Sequence, residues 1–296
     1  RAAWSSSTRI GRFSDSLKVG VTTDSSGALA GASPRSSMAS ARYRPLSQLP
    51  RTLIAVCGRF VSSSPPDEIA RYFDVDETSE QALEHRANFN TAPTTDVFVV
   101  YRDGSTRRLD TFHWGLVPRW AKDLSIGSRM INARAETVAT KPAFRHAFAR
   151  KRCILPVDGF YEWKAPPPGQ KRKQPYFIHR PDGEPYAFAG LWEQWKGPGP
   201  DGDEVTVRST TIITGAANTA MSAIHDRMPI ILAPSDWESW LSPENTDTEM
   251  LGRLLVPAPD RLITMHPVST DVNNVRNKGE HLADEVDPVL DDGRLL

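Results

Sequence analysis

Apolar and polar positions along the chain divide it sharply at about residue 57. Before that point the sequence is rich in Ser and Arg and has no hydrophobic periodicity. Beyond it, short apolar segments recur between turn residues, as expected for many short strands. Residues 57–61 read as a short apolar strand or turn. Ser64-Pro65-Pro66-Asp67-Glu68 reads as a helix start, with proline in the first turn and acids at the positive dipole end. Ile69, Tyr72 and Phe73 give that helix one apolar face. Asn88 to Thr94 is expected as a polar loop. Val97 to Tyr101 is a strand, Asp103-Gly104 a hairpin turn, and Arg107 to Trp114 the partner strand, broken at Gly115-Leu116-Val117-Pro118.

The pattern continues with a loop at 121–131 and a helical segment at 141–150, where Phe144 and Phe148 lie one turn apart. Arg152 to Val157 is a buried strand that leads into Gly159-Phe160-Tyr161-Glu162-Trp163. Residues 166–173 form a solvated basic loop. Strands at 176–180 and 186–192 flank Pro181-Asp182-Gly183, and a glycine- and proline-rich flexible loop is expected at 196–204. Val205 to Thr214 alternates as a long strand. Ala216 to Ile224 is a loop or short helix, Ser235 to Leu241 a capped helix, and Leu262 to Val268 a late strand. The last fifteen residues are acidic, and 286–296 is expected to fray. There is no internal repeat. The sum is an α+β fold: a mostly antiparallel, barrel-like β core with short peripheral helices.

Twenty-four prolines and nineteen glycines favour turns and short strands over long helices. No apolar run approaches a membrane span, and nothing resembles a secretory signal. Two cysteines, Cys57 and Cys153, make no disulfide framework and no zinc spacing, so no metal or cofactor is called for and a reducing compartment is expected. The formal charge of zero conceals an asymmetry. Residues 1–55 hold eight of the 36 basic residues and two of the 36 acidic ones. The remaining 28 basic and 34 acidic residues give a body at −6, which excludes a general polyanion binder and leaves only a local basic groove for nucleic acid.

Three readings compete for the segment before Cys57: a transit peptide, a disordered basic arm, or upstream sequence not present in the working protein. The third is favoured, because the chain starts with Arg1 and Val56 is what a GTG start codon would give. If the chain starts at Cys57, one residue carries a thiol and a free α-amine. Such a 1,2-aminothiol condenses with an aldehyde through nitrogen and closes a thiazolidine ring through sulfur.

Other residues carry weaker signals. Glu162, between Tyr161 and Trp163, is either desolvated and fit for proton transfer or turned to solvent by strand alternation; the fragment alone weighs these evenly. His225, in a loop before a strand, suits acid–base work, although lone histidines are more often structural. Asn132 and Arg134 share a face if the segment is extended; salt bridging to Glu136 is the plainer reading. Trp114, in a strand-ending turn, is the tryptophan best placed to stack on a base. Cys153 reads as an inert buried thiol. A plain cysteine hydrolase using Cys57, His225 and Glu162, and a non-enzymatic single-strand binder, remain open alternatives.

Together the motifs Cys57-Gly58-Arg59-Phe60, Asn90-Thr91-Ala92-Pro93-Thr94, Trp114-Gly115-Leu116-Val117-Pro118, Asn132-Ala133-Arg134-Ala135-Glu136, Gly159-Phe160-Tyr161-Glu162-Trp163 and His225-Asp226-Arg227-Met228-Pro229 occur in the order found in the SOS-response-associated peptidase (SRAP) family. The resemblance covers roughly 57–285. It implies a protein that senses abasic sites in single-stranded DNA or at its junction with duplex. The implied chemistry is a thiazolidine crosslink through an N-terminal cysteine, self-removal of whatever precedes that cysteine, and AP-lyase activity. It implies Cys57, Asn132, Glu162 and His225 as catalytic residues. Arg59, Asn90, Pro93, Trp114, Arg134 and Arg227 are the implied DNA contacts, with the arginines on phosphates and Pro93 and Trp114 wedged against bases. A monomer acting in the cytoplasm, associated with the nucleoid, is the corresponding expectation.

Overall fold

The computed structural model describes residues 57–288, apart from Pro167, Gln170, Pro200 and Asp201. The expectations for residues 1–56 and for most of the acidic tail lie outside the described residues. Thirteen strands follow in order: β1 (Phe60–Ser62), β2 (Glu77–Thr78), β3 (Asn88–Thr91), β4 (Asp96–Asp103), β5 (Thr106–Trp114), β6 (Asn132–Arg134), β7 (Arg152–Val157), β8 (Gly159–Lys164), β9 (Gln174–His179), β10 (Tyr186–Pro198), β11 (Glu204–Ala216), β12 (Arg227–Pro229) and β13 (Thr264–Pro267). The helices are short: α1 (Pro66–Tyr72), α2 (Glu80–Glu84), α3 (Arg145–Arg150), α4 (Thr219–Ser222), α5 (Trp237–Leu241) and α6 (Thr248–Arg253). This is the α+β architecture expected from the apolar pattern.

Strands β5, β4, β7, β10 and β11 pair in that order, and β11 pairs back onto β5, so the five close into a barrel. The closing contact is parallel, Ser209 against His113 and Thr210 against Trp114. A second sheet, ordered β13-β9-β8-β1-β3, packs against it.

The unbroken apolar runs are explained by burial on both faces. Val97, Val99 and Tyr101 of β4 and Cys153, Leu155 and Val157 of β7 share one cluster with Phe60, Phe160 and Ile178 of the second sheet. The alternating residues Phe98, Val100 and Ile154 face another cluster with Phe73 of the loop after α1, Phe148 of α3, Trp240 of α5 and Leu251 of α6. Strand β7 is therefore buried at all six positions. Its arginine survives there because Arg152 donates to the carbonyls of Trp240 (2.6 Å), Phe148 (2.8 Å) and Asn245 (2.9 Å) and to that of Ser242.

Several boundaries differ from the expectation. The loop at 196–204 shrinks, because β10 continues through Pro198 and its partner begins at Glu204. Trp195 holds the extension: its ring is buried and its Nε1 donates to the Ala121 carbonyl at 2.8 Å. Asn88 to Thr91 is a strand rather than a loop, since β1 supplies its antiparallel partner. The α-helix expected over 141–150 is regular only from Arg145. The helix ending at Leu241 has no side-chain cap and is entered through a 3-10 turn at Pro234–Asp236. The segment 115–131 is clasped onto β5 at Gly115, whose φ of 140° only glycine adopts readily. A Cβ there would stand 2.6 Å from the Gly127 carbonyl oxygen.

Candidate functional site

Cys57 is wholly buried and lies in the cluster that joins the two sheets, with Phe60, Trp114, Ile131, Met221 and Met228. Its backbone nitrogen donates to Oε1 of Glu162 at 2.5 Å, across 105 residues of chain. The pairing follows from register: Phe60 of β1 opposes Phe160 of β8, which places the start of β1 beside the middle of β8. Glu162 is 4% exposed, so strand alternation does not turn it to solvent. Burial pushes its carboxyl up to about 7, against the downward pull of the Cys57 N–H. The positive charge of Lys173 also lowers it, and the negative charge of Asp226 raises it. Burial, reinforced by Glu162, also pushes the Cys57 thiol well above its ordinary value. A thiolate is thus disfavoured, and a neighbouring proton acceptor is needed before the sulfur can react.

The backbone at Cys57 is left-handed, with φ 49°. That conformation costs a non-glycine residue on the order of 1 kcal/mol while a peptide bond precedes it.

Asn132 and Arg134 enter through β6, which pairs in parallel with β11 (Asn132 to Ile212, Arg134 to Thr214). The buried Ala133 alternates between them, so the two side chains share the opposite face, with Arg134 exposed. Ile131, their predecessor, belongs to the cluster that holds Cys57. His225 follows α4 and precedes β12. Its Nδ1 lies 3.1 Å from the Arg227 backbone nitrogen and 2.8 Å from Asp226 Oδ1. Among the described residues no hydrogen bond joins His225 to Cys57 or Glu162; Glu162 reaches the cysteine directly, not through an intervening histidine as in a hydrolase triad.

Several expected DNA contacts have other work. Trp114 is fully buried, tilted against Phe60 with centroids 4.9 Å apart, and its Nε1 donates to the Ile131 carbonyl at 3.0 Å. In this structure its ring packs in the core. Asn90 is fully buried too, and its Nδ2 donates to the carbonyls of Val272 (3.2 Å), Asn274 (3.1 Å) and Asn277 (2.9 Å). Arg59 Nη1 donates to Asn90 Oδ1 at 2.7 Å and to the Val272 carbonyl at 2.8 Å. Arg59 and Asn90 therefore latch the segment after β13 onto β3 and onto the residues between Cys57 and β1. Pro93 is buried. Arg227 is held by Glu136 at 2.9 and 3.1 Å and by the Thr214 carbonyl at 2.7 Å. Glu136 thus pairs with Arg227, not with Arg134, the partner expected for it.

Among the described residues the exposed tryptophan is Trp120, six residues beyond Trp114 and 60% exposed. It lies beside the exposed Arg119 in a groove with Pro142, Arg145 and His146. Sequence reasoning passed it over because both tryptophans flank the same Gly/Pro break. The distinguishing signal was alternation: Trp114 ends an apolar strand, whereas Trp120 stands between Arg119 and Lys122.

Comparisons with known proteins agree on this chain's kinship. The chain is 42% identical over 227 residues to the abasic site processing protein YoqW of Bacillus subtilis, covering 77% of this chain and 98% of that one. It is 33% identical over 236 residues to the abasic site processing protein YedK of Escherichia coli, covering 78% and 100%. A crystal structure of a Bacteroides thetaiotaomicron protein superposes with a TM-score of 0.67 at 24% identity, over 78% of this chain and all of that one, and so shares the fold. A model of the SOS response associated peptidase (SRAP) family matches residues 56–275, and the chain belongs to that family.

Proposed function

We propose that this protein processes abasic sites in DNA by capturing the sugar aldehyde of a single strand, or of a strand at its junction with duplex, as a thiazolidine on Cys57. The observation that carries the reading is the 2.5 Å bond between the Cys57 nitrogen and a buried carboxyl whose midpoint lies near 7. With a free α-amine in place of that amide, the carboxyl stands within hydrogen-bond reach of the nitrogen and can pass protons to and from it.

The reaction balances as one aldehyde plus one aminothiol giving thiazolidine plus water. The free amine adds to the aldehyde carbon. Glu162, protonated, delivers its proton to the departing hydroxyl, which leaves as water and gives an iminium that keeps its N–H. The Cys57 sulfur then adds to that carbon while the thiol proton passes to the Glu162 carboxylate, and the iminium nitrogen becomes the neutral ring amine. Glu162 is thereby restored. His225, 17% exposed and beside Asp226, whose charge acts on Glu162, is placed to exchange protons between solvent and the site. Asn132 and Arg134, on the neighbouring strand, orient the sugar and its phosphate, and Trp120 stacks on a base.

Amine chemistry requires that no peptide bond precede Cys57. The left-handed backbone there favours the same conclusion: a chain that begins at Cys57 has no φ and escapes that cost. Self-removal of the preceding residue uses the same thiol and carboxyl. The experiment is capture of an oligonucleotide bearing one abasic site, read on a denaturing gel. Protein beginning at Cys57 forms a stable adduct and Cys57→Ala forms none. An adduct with Cys57→Ala would overturn the reading.

A further inference from the structure

The end of β8 carries Lys164 and the segment leading into β9 carries Lys171, Arg172 and Lys173, and no acidic residue lies between Glu162 and Asp182. All four basic residues are exposed. Four cations without an acid among them stand out on a body whose formal charge is −6. Their position follows from the strand register. Glu162 opposes Tyr176 and Lys164 opposes Gln174, so Lys173 is the first residue beyond the paired strands, at the end nearer Glu162. Lys164 shares the Glu162 face of β8 by alternation, and its Nζ stands 6.0 Å from the centroid of the Tyr176 ring. The charge of Lys173 acts on the Glu162 carboxyl itself. The basic segment therefore lies at the end of the hairpin nearer the buried carboxyl that accepts from the Cys57 nitrogen.

We infer that the tip of the β8–β9 hairpin is a phosphate-binding edge: Lys171, Arg172 and Lys173 hold the phosphodiester backbone of the strand whose aldehyde reaches Cys57. This rests on the reading of Cys57 as an aldehyde trap. The negative body repels DNA elsewhere, so a short basic edge confines the strand to the reacting end of the molecule. Arg172 supplies a planar fork for two phosphate oxygens, and the lysines supply point charges. The edge also couples binding to chemistry. A phosphate paired with Lys173 screens its charge from Glu162, so the carboxyl holds its proton more firmly when DNA is present.

The test uses the full chain and its Lys171→Glu/Arg172→Glu variant, both binding an undamaged single-stranded oligonucleotide across a salt series. Each phosphate contact on single-stranded DNA contributes about 0.7 to the slope of log affinity against log salt. The variant is expected to lose about 1.4 from that slope and to bind at least tenfold more weakly at low salt. An unchanged slope overturns the inference. In protein beginning at Cys57, thiazolidine formation with glycolaldehyde, which has no phosphate, is expected to stay within twofold of the parent. A tenfold loss there would mean that the hairpin acts on the fold of the site and not on phosphate, which also overturns it. The two readings fail separately. Weakened DNA binding in the variant together with no abasic crosslink in the parent would sink the aldehyde trap and keep the phosphate edge. A normal crosslink with an unchanged slope would do the reverse.

Discussion

Replacing Glu162 by Gln tests the electrostatics of the site without touching its shape. In the full chain the Cys57 nitrogen is an amide, and burial moves the carboxyl from the ordinary 4.5 to about 7. The folded protein therefore binds this proton more tightly than the unfolded chain does. For an acid raised in this way, the stability it lends is intact below 4.5 and is lost as pH climbs from 4.5 to 7. Above 7 the loss is complete and constant. Each pH unit between the two midpoints is worth about 1.4 kcal/mol, so the loss amounts to about 3 kcal/mol. Glutamine keeps the amide acceptor for the Cys57 N–H and has no charge to bury. Glu162→Gln is expected to match the parent in stability near pH 4.5 and to exceed it by about 3 kcal/mol at pH 8. Urea unfolding of both proteins at the two pH values, with equal m-values required, measures this directly. A variant whose advantage over the parent is no larger at pH 8 than at pH 4.5 would refute the claim that Glu162 is ionised at a cost. The same substitution, made in protein beginning at Cys57, should slow crosslinking on the order of a hundredfold, the ordinary worth of a positioned acid–base group. Stability gained and activity lost at one residue is the signature of a group kept for chemistry.

Other substitutions separate structural from functional roles. Trp114→Phe removes the donor to the Ile131 carbonyl and should cost about 1–3 kcal/mol in urea unfolding, while the folded fraction binds DNA as before. Trp120→Ala should do the opposite, weakening oligonucleotide binding by about 1–3 kcal/mol with unfolding unchanged, since its ring is exposed. Asn90→Ala leaves the carbonyls of Val272, Asn274 and Asn277 without their shared donor; about 2–4 kcal/mol of stability and slow amide exchange around 272–277 should be lost together. Gly115→Ala drives a methyl to 2.6 Å from the Gly127 oxygen at a φ of 140°, and the soluble yield of folded protein should fall sharply.

Much of the fold was legible in the apolar pattern because these strands are covered on both faces: Val97 to Tyr101 and Arg152 to Val157 announce themselves as runs. What the pattern did not give was closure, since the β11 to β5 contact joins Ser209 and Thr210 to His113 and Trp114, residues with no special signature. It also did not give the length of the β10–β11 hairpin, where a glycine- and proline-rich sequence is held extended by the buried Trp195. At the site, Cys57 and Glu162 were named as candidates, but the bond between them depends on a register that links residues 105 apart. The polar motif residues Asn90, Arg59 and Arg227 were assigned to DNA on resemblance. In the structure Arg59 and Asn90 hold the segment after β13, and Arg227 holds Glu136 and the Thr214 carbonyl, bonds that only the positions of the acceptor groups reveal.

The central claim is that nitrogen and sulfur of Cys57 both bond to the captured sugar. Mass spectrometry of the peptide–sugar remnant, after digestion of the protein and its abasic oligonucleotide, measures it most directly. The account predicts a remnant on Cys57 lighter by one water than the sum of peptide and sugar fragment, with no free thiol to alkylate. It predicts none from protein carrying one extra residue fused stably ahead of Cys57. An equal adduct yield from that blocked protein, or a remnant whose thiol still alkylates, would contradict it.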